Sequence, residues 1–274
     1  MLVPRINPPE TWQRGAALKL HRSWHFGEVS MSPRPMNNGR KLAISQHGTA
    51  VAITYFKLVA RPYSASKAAS RGGARNLASR ESYCLSYGQV GNLIAAACHA
   101  DAIGLPFTRM ITVHWEAAGV SLDGMARATG RFIDMLTKAI TRCESRTAWI
   151  WVHEGGPGKG GHCHILAHVP ASLVKPITRL QKRWLRAICG KPYKRGVIHS
   201  DPIGGRLGLE TTNCPLHAQN LANALCYVLK GADGHAAAAV GLERLEPGGR
   251  IIGKRCGTSQ NIGVKARAAK RNGE

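Results

Sequence analysis

The chain has 274 residues and carries 38 Lys and Arg against 15 Asp and Glu, a formal net charge of +23. That length holds one sizeable domain with extensions, or two small ones. A solvated surface has no need of such an imbalance, and self-repulsion penalises it unless a polyanion compensates. Nucleic acid is therefore the expected partner, ahead of a ribosome-type structural role or an anionic membrane surface.

The opening "MLVPRINPPE" has no apolar core, so no targeting peptide is expected. The longest apolar stretch, "AVAITYFKLVA" (50–60), is interrupted by Lys57 and falls short of the roughly 18 residues of a spanning helix. Cysteines 84, 98, 143, 163, 189, 214, 226 and 256 stand singly, with no Cys-x-x-Cys pair. This argues against a zinc ribbon and, without a signal peptide, against a disulfide framework. The expectation is a cytoplasmic protein with reduced thiols and no membrane association.

Residues 1–104 read as a basic N-terminal extension, partly linker-like. Turn clusters such as "RINPPE" and "SPRPMNNGR" interrupt it, and "YSASKAASRGGARNLASRESY" (63–83) is a linker or weak helix. No internal repeat is present. From residue 105 the pattern sharpens. "FTRMITVHW" (107–115) predicts a strand, and Ser121 is placed to cap a helix running to Arg142, with Leu122, Met125, Phe132, Leu136 and Ala139 recurring at helical spacing. "TAWIWVHE" (147–154) predicts a second strand, and "GGPGKGG" turns the chain into a third at 162–169. An amphipathic helix follows over 172–188. Leu173, Ile177, Leu180, Trp184 and Ile188 face inward; Lys175, Arg179, Lys182, Arg183 and Arg186 stay outside. "GVIHS" (196–200) reads as a short strand and 215–229 as a helix beginning at Pro215. The order β-α-β-β-α-β-α describes an α+β domain, a mainly antiparallel central sheet with helices packed on it, over 105–235. Residues 236–274 read as a basic C-terminal tail.

The third strand carries "HCHILAHVP" (162–170). Alternation puts His162 and His164 on one face, with Cys163, Ile165, Ala167 and Val169 on the other as a core face. Two imidazoles on one exposed face can hold one cation. His168 shares their face but lies about 13 Å beyond His164, so it is structural or faces substrate. A third ligand should come from the neighbouring strand. If Ile150 and Val152 lie on the core face, alternation selects His153; a bulge at the strand end selects Glu154. A carboxylate beside two imidazoles suits Mg²⁺ or Mn²⁺ better than a third imidazole. The glycine turn is no phosphate loop, because Gly160 stands where Ser or Thr should follow Lys159; "GKR" (253–255) fails likewise.

In "NLANALCYVLKG" (220–231), Asn220, Asn223, Tyr227 and Lys230 form a polar stripe opposite Leu221, Leu225 and Val228. Three motifs in order, "MITVHW" (110–115), "HCHILAHVP" and "YVLK" (227–230), resemble those of the HUH endonucleases, specifically the rolling-circle replication initiators of plasmids and single-stranded phages. "WVHE" is similar to a family strand that ends in an acidic metal ligand, which favours Glu154. "GKRCGTSQNIG" (253–263) is similar to a C-terminal segment of bacterial members. The tyrosine follows the histidines, as in initiators and related single-strand transposases, whereas conjugative relaxases have it ahead of them. With Asn223 and Gly231 on the flanking turns, Tyr227 is a single nucleophile.

The resemblance implies an RRM-like palm and site-specific nicking and joining of single-stranded origin DNA. It implies a divalent cation, Mg²⁺ or Mn²⁺, on His162, His164 and Glu154, and Tyr227 as nucleophile. Lys230 would steady the phosphate or the metal-site geometry, and Asn223 would orient the substrate. Host helicase and polymerase are the implied partners. For the DNA backbone, Lys175, Arg179, Lys182, Arg183, Arg186, Lys194 and Arg195 offer a track: residues 171–200 hold eight basic and no acidic residues. Residues 250–273 hold seven basic and no acidic residues. Trp149 and Trp151 either stack unpaired bases or pack under the sheet. Two alternatives stand beside the initiator. One is a transposase or mobilisation nuclease of the same chemistry; the other is a non-catalytic nucleic-acid-binding protein.

Overall fold

The computed structural model describes residues 79–156, 158, 160–203 and 214–272. The elements are β1 (Glu81–Ser82), α1 (Tyr87–Ala102), β2 (Arg109–Val113), α2 (Met125–Thr141), β3 (Trp149–Gly156), β4 (Gly160–Ala167), α3 (Val174–Cys189), β5 (Ile198–Pro202), α4 (Cys214–Leu229), α5 (Gly234–Val240), β6 (Ile251–Ile252), β7 (Cys256–Thr258) and α6 (Val264–Asn272). Five strands form a sheet of order β5-β2-β4-β3-β7, and every pairing in it is antiparallel. The α+β class and the antiparallel sheet agree with the expectation. No helix among the described residues is long and apolar enough to cross a membrane.

The strands form where β-branched and aromatic side chains cluster, and both faces of the central pair are buried. One face packs Ile111, Val113, Trp151, Cys163, Ile165 and Ala167 against Phe132 and Leu136 of α2 and Ile177, Trp184 and Leu185 of α3. Phe132 and Trp184 meet edge to face, with ring centroids 5.6 Å apart. The other face packs Ile150, Val152 and Leu166 against Val90, Leu93 and Ala97 of α1 and Leu221, Leu225 and Val228 of α4. This corrects the expectation of one core face and one open face. The sheet is covered on both sides, so alternation along β3 and β4 does not separate inside from outside.

Three further expectations change. The helix expected from Ser121 starts at Met125, with Gly124 as its N-cap and no side-chain cap. Ser121 instead closes a turn, its carbonyl accepting from the Gly124 N–H at 3.1 Å. The helix expected over 172–188 is a short 3-10 turn (Ala171–Leu173) followed by α3. The core also crosses both expected domain boundaries, at 104/105 and 235/236. Helix α1 supplies Val90, Leu93 and Ile94, and the C-terminal segment supplies Cys256 and Ile262. The segment expected as a tail pairs β7 with β3 and β6 with β1. "RINPPE", "SPRPMNNGR" and most of 63–83 lie outside the described residues; Glu81 and Ser82 are strand.

Arg255 explains how these outer strands are held. Its side chain is only 2% exposed. Its Nε donates to Ser82 Oγ at 2.9 Å, Nη1 to Gly248 O at 3.2 Å, and Nη2 to Ser82 O and Gly249 O. One guanidinium thus joins β1, the 248–249 turn and β7. Arg255→Met would leave buried carbonyls short of donors. It is expected to cost about 3 kcal/mol, or about 10 °C in melting temperature. An unchanged thermal denaturation curve would contradict this role.

Candidate metal centre

The β3–β4 hairpin builds the site. Its glycine turn needs left-handed backbone, with φ of 86° at Gly158 and 63° at Gly160. A Cβ on Gly160 would lie 2.3 Å from Glu116 Oε2, and that oxygen accepts from the Gly161 N–H at 2.7 Å. The turn sets a regular register that places Glu154 opposite His162 and Val152 opposite His164. No bulge is needed. Glu154, His162 and His164 share the face covered by α1 and α4, and all three are buried.

Their ligand atoms lie within 4.8 Å of one another. Glu154 Oε2 is 3.3 Å from His162 Nε2 and 3.6 Å from His164 Nε2. The outer ring nitrogens are held by the backbone and a neighbouring strand. His162 Nδ1 donates to Gly160 O at 2.9 Å, which leaves Nε2 as the lone-pair atom. His164 Nδ1 lies 2.9 Å from Thr112 Oγ1. Such outer hydrogen bonds orient imidazoles for metal binding. Two buried atoms, His164 Nε2 and Glu154 Oε1, have no hydrogen-bond partner. A buried polar atom left this way is costly, and a divalent cation between these donors satisfies both. The group can therefore hold a metal ion.

The charge states fit a cation. Burial alone would raise the Glu154 carboxyl, but the adjacent His162 and His164 rings and the Lys230 charge outweigh it and hold the group well below the carboxylate range. Burial pushes His164 down to about 4, against the attraction of Glu154. At neutral pH the site thus presents an anionic oxygen and a neutral imidazole.

His153 is on the opposite face and takes no part. Its Nδ1 donates to Lys254 O at 2.9 Å, and its Nε2 accepts from Thr129 Oγ1 at 2.8 Å. Thr129 in turn accepts from Trp115 Nε1. Burial drives His153 down to about 3. His153, which alternation selects, thus lies away from the histidine pair, and Glu154 lies beside it without a bulge. Glu154→Gln is expected to weaken Mn²⁺ binding more than about 100-fold, since the carboxylate is the site's anion. His153→Gln is expected to lower stability while changing Mn²⁺ affinity less than about threefold. Titration calorimetry reads both, and the reverse ranking would overturn the assignment.

Tyr227 and Lys230 come to the same place. The polar stripe of α4 runs from exposed Asn223 to Lys230, just past the helix end and only 4% exposed. The Tyr227 ring stands edge to face with His164, centroids 5.1 Å apart. Lys230 Nζ lies 4.2 Å from the Tyr227 ring centroid and 2.5 Å from Glu154 Oε2. Burial raises the Tyr227 phenol, and Lys230 and Arg244 pull against it.

The other expected residues fall elsewhere. Asn223 pairs with Gln219 at 3.3 Å. His168 Nδ1 donates to Pro106 O at 2.8 Å, a structural bond. Trp151 packs beside His153 with centroids 4.4 Å apart, and Trp149 Nε1 donates to Thr137 Oγ1; both tryptophans belong to the core beneath α2 and α3. Lys175, Arg179, Lys182, Arg183, Arg186, Lys194 and Arg195 are all exposed. The first five lie on α3, which covers the sheet face opposite the metal centre, so they form a separate basic surface. Sequence reading missed Thr112, Arg244 and Glu246. Thr112 was accessible, since it alternates with Ile111 and Val113 in "MITVHW" and so shares a face with a cross-strand partner. Comparison with protein-family models, with curated proteins and with solved structures finds no match.

Proposed function

We propose that the protein is a metal-dependent endonuclease and strand transferase that nicks single-stranded DNA with Tyr227 as nucleophile. More particularly, we propose that it initiates rolling-circle replication of a plasmid or phage. One observation carries the reading: the tyrosine of "YVLK" and the two histidines and acid of the β3–β4 hairpin, 60 or more residues away in sequence, converge on one buried cluster. This is the convergence expected from the motif resemblance. The net charge of +23 favours a polyanionic substrate.

Glu154, His162 and His164 would hold a divalent cation, Mn²⁺ or Mg²⁺, which would supply Lewis-acid polarisation of the scissile phosphate. Two imidazole nitrogens make Mn²⁺ the better match. The Tyr227 phenolic oxygen attacks phosphorus and loses its proton to water. The O–P bond forms as the P–O3′ bond breaks, and the departing 3′ oxygen takes a proton from solvent. The products are a 5′-phosphotyrosine and a free 3′-OH. Because one phosphoester replaces another, the same site can rejoin strands. Lys230 favours the phenolate by its charge and fixes Glu154 by its hydrogen bond.

The test uses a pool of random-sequence single-stranded DNA labelled at the 3′ end, with Mn²⁺. A covalent adduct stable in denaturant and mapping to Tyr227 is expected. A tight, salt-sensitive complex without any adduct would replace the nuclease with a binding protein.

A further inference from the structure

Between α5 and β6, residues 241–250 run back over the end of α4. Three contacts fix this backbone around the metal centre. Glu246 N donates to Lys230 O at 2.9 Å, and Gly155 N, next to Glu154, donates to Gly248 O at 3.0 Å. The Arg255 guanidinium holds the carbonyls of Gly248 and Gly249. Gly249 has φ of 66°, and a Cβ there would lie 1.4 Å from Gly155 O, so the approach requires glycine.

The segment brings Arg244 and Glu246 to Tyr227. The Arg244 Cζ is 5.8 Å from the Tyr227 ring centroid. Its Nε donates to Glu246 Oε1 at 2.8 Å, and Nη2 donates to the same oxygen. The second Glu246 oxygen is 3.6 Å from Lys230 Nζ. Lys230 is buried and committed to Glu154. Arg244 has a side chain 63% exposed, and an exposed ion pair of this kind is weakly held. A guanidinium presents parallel donors that match a phosphodiester as well as a carboxylate.

We infer that Arg244 is the phosphate-binding residue beside the tyrosine, and that Glu246 holds it ready until the phosphodiester of single-stranded DNA takes the carboxylate's place. This rests on the reading of Tyr227 as nucleophile. Breaking the pair from its two ends then has opposite effects, which a purely structural ion pair would not show.

The experiment measures single-turnover adduct formation by the full chain on a 3′-labelled oligonucleotide. Arg244→Gln is expected to slow the reaction at saturating DNA about 30-fold, the worth of a charge-assisted hydrogen bond. Affinity should change less than about threefold, because many other cations bind the backbone. Arg244→Lys should recover part of the rate, keeping the charge but not the fork. Glu246→Gln should speed the reaction at subsaturating DNA by about threefold, the hold of an exposed pair. Equal losses from Arg244→Gln and Glu246→Gln, or no loss from Arg244→Gln, would overturn the inference while the nuclease stands. A wild-type protein that forms no adduct would overturn the nuclease reading, and this one with it.

Discussion

Tyr227→Phe is expected to reduce covalent adduct formation by at least about 10⁴-fold, because phenylalanine carries no oxygen to attack phosphorus. The ring's packing survives the change. Its edge-to-face contact with His164 and the position of Lys230 above it depend on the aromatic carbons. Stability should therefore stay within about 0.5 kcal/mol of the parent, so a lost adduct reports chemistry and not unfolding. Tyr193→Phe is the matched control. Tyr193 lies in the loop after α3 with Lys182 Nζ 5.5 Å from its ring centroid, away from the metal centre. The readout is a denaturing gel with 3′-labelled DNA alongside thermal denaturation. If Tyr227→Phe still forms the adduct and Tyr193→Phe does not, the nucleophile is on the basic loop and α4 has only a packing role.

Much of the central sheet is legible in the sequence because its strands are dense in β-branched and aromatic residues, and because "GGPGKGG" marks the hairpin turn. The histidine pair is legible too, since alternation alone puts His162 and His164 on one face. The choice between His153 and Glu154 is not. It depends on which face of β3 is buried, and here both are, with Ile150 and Val152 packed under α1 and α4 and Trp151 under α2 and α3. The outer strands are illegible for another reason. β6 and β7 span two and three residues, too short for any period to register. They exist through long-range pairing with β1 and β3 and through the buried Arg255, which a sequence reader counts as one more surface cation. Arg244 is hidden the same way: nothing local marks it, and only the glycines at 155, 248 and 249 that permit close backbone approach bring it to Tyr227.

The basic surface and the metal centre lie on opposite faces of the sheet, and this shapes what metal removal should do. Helix α3 carries its exposed cations on one helical layer, while Glu154, His162 and His164 sit beneath the other. The phosphate binding proposed for α3 would be a long-range electrostatic effect that needs no metal. His162→Ala and His164→Ala are each expected to cut nicking by more than about 10³-fold. Both should leave salt-dependent affinity for single-stranded DNA within about threefold of the parent.

A second readout makes this independent of activity. Mn²⁺ at about 100 times its dissociation constant should stabilise the parent by about 2.7 kcal/mol, and the shift should vanish in both variants. The two need not be equal in the metal-free state. His164→Ala also removes the imidazole that meets Thr112 Oγ1 and Tyr227, so it should leave a larger cavity and cost more stability. Beyond the contacts with Glu154 and between the two imidazoles, which both variants lose, His162→Ala loses its bond to the turn carbonyl of Gly160 and its contact with the ring of His114. Thermal denaturation with and without Mn²⁺ measures both effects. A parent protein whose melting temperature ignores Mn²⁺, and which nicks at full rate in excess chelator, would show that the buried cluster of Glu154, His162, His164 and Lys230 is a structural ion network, and would end the metal assignment.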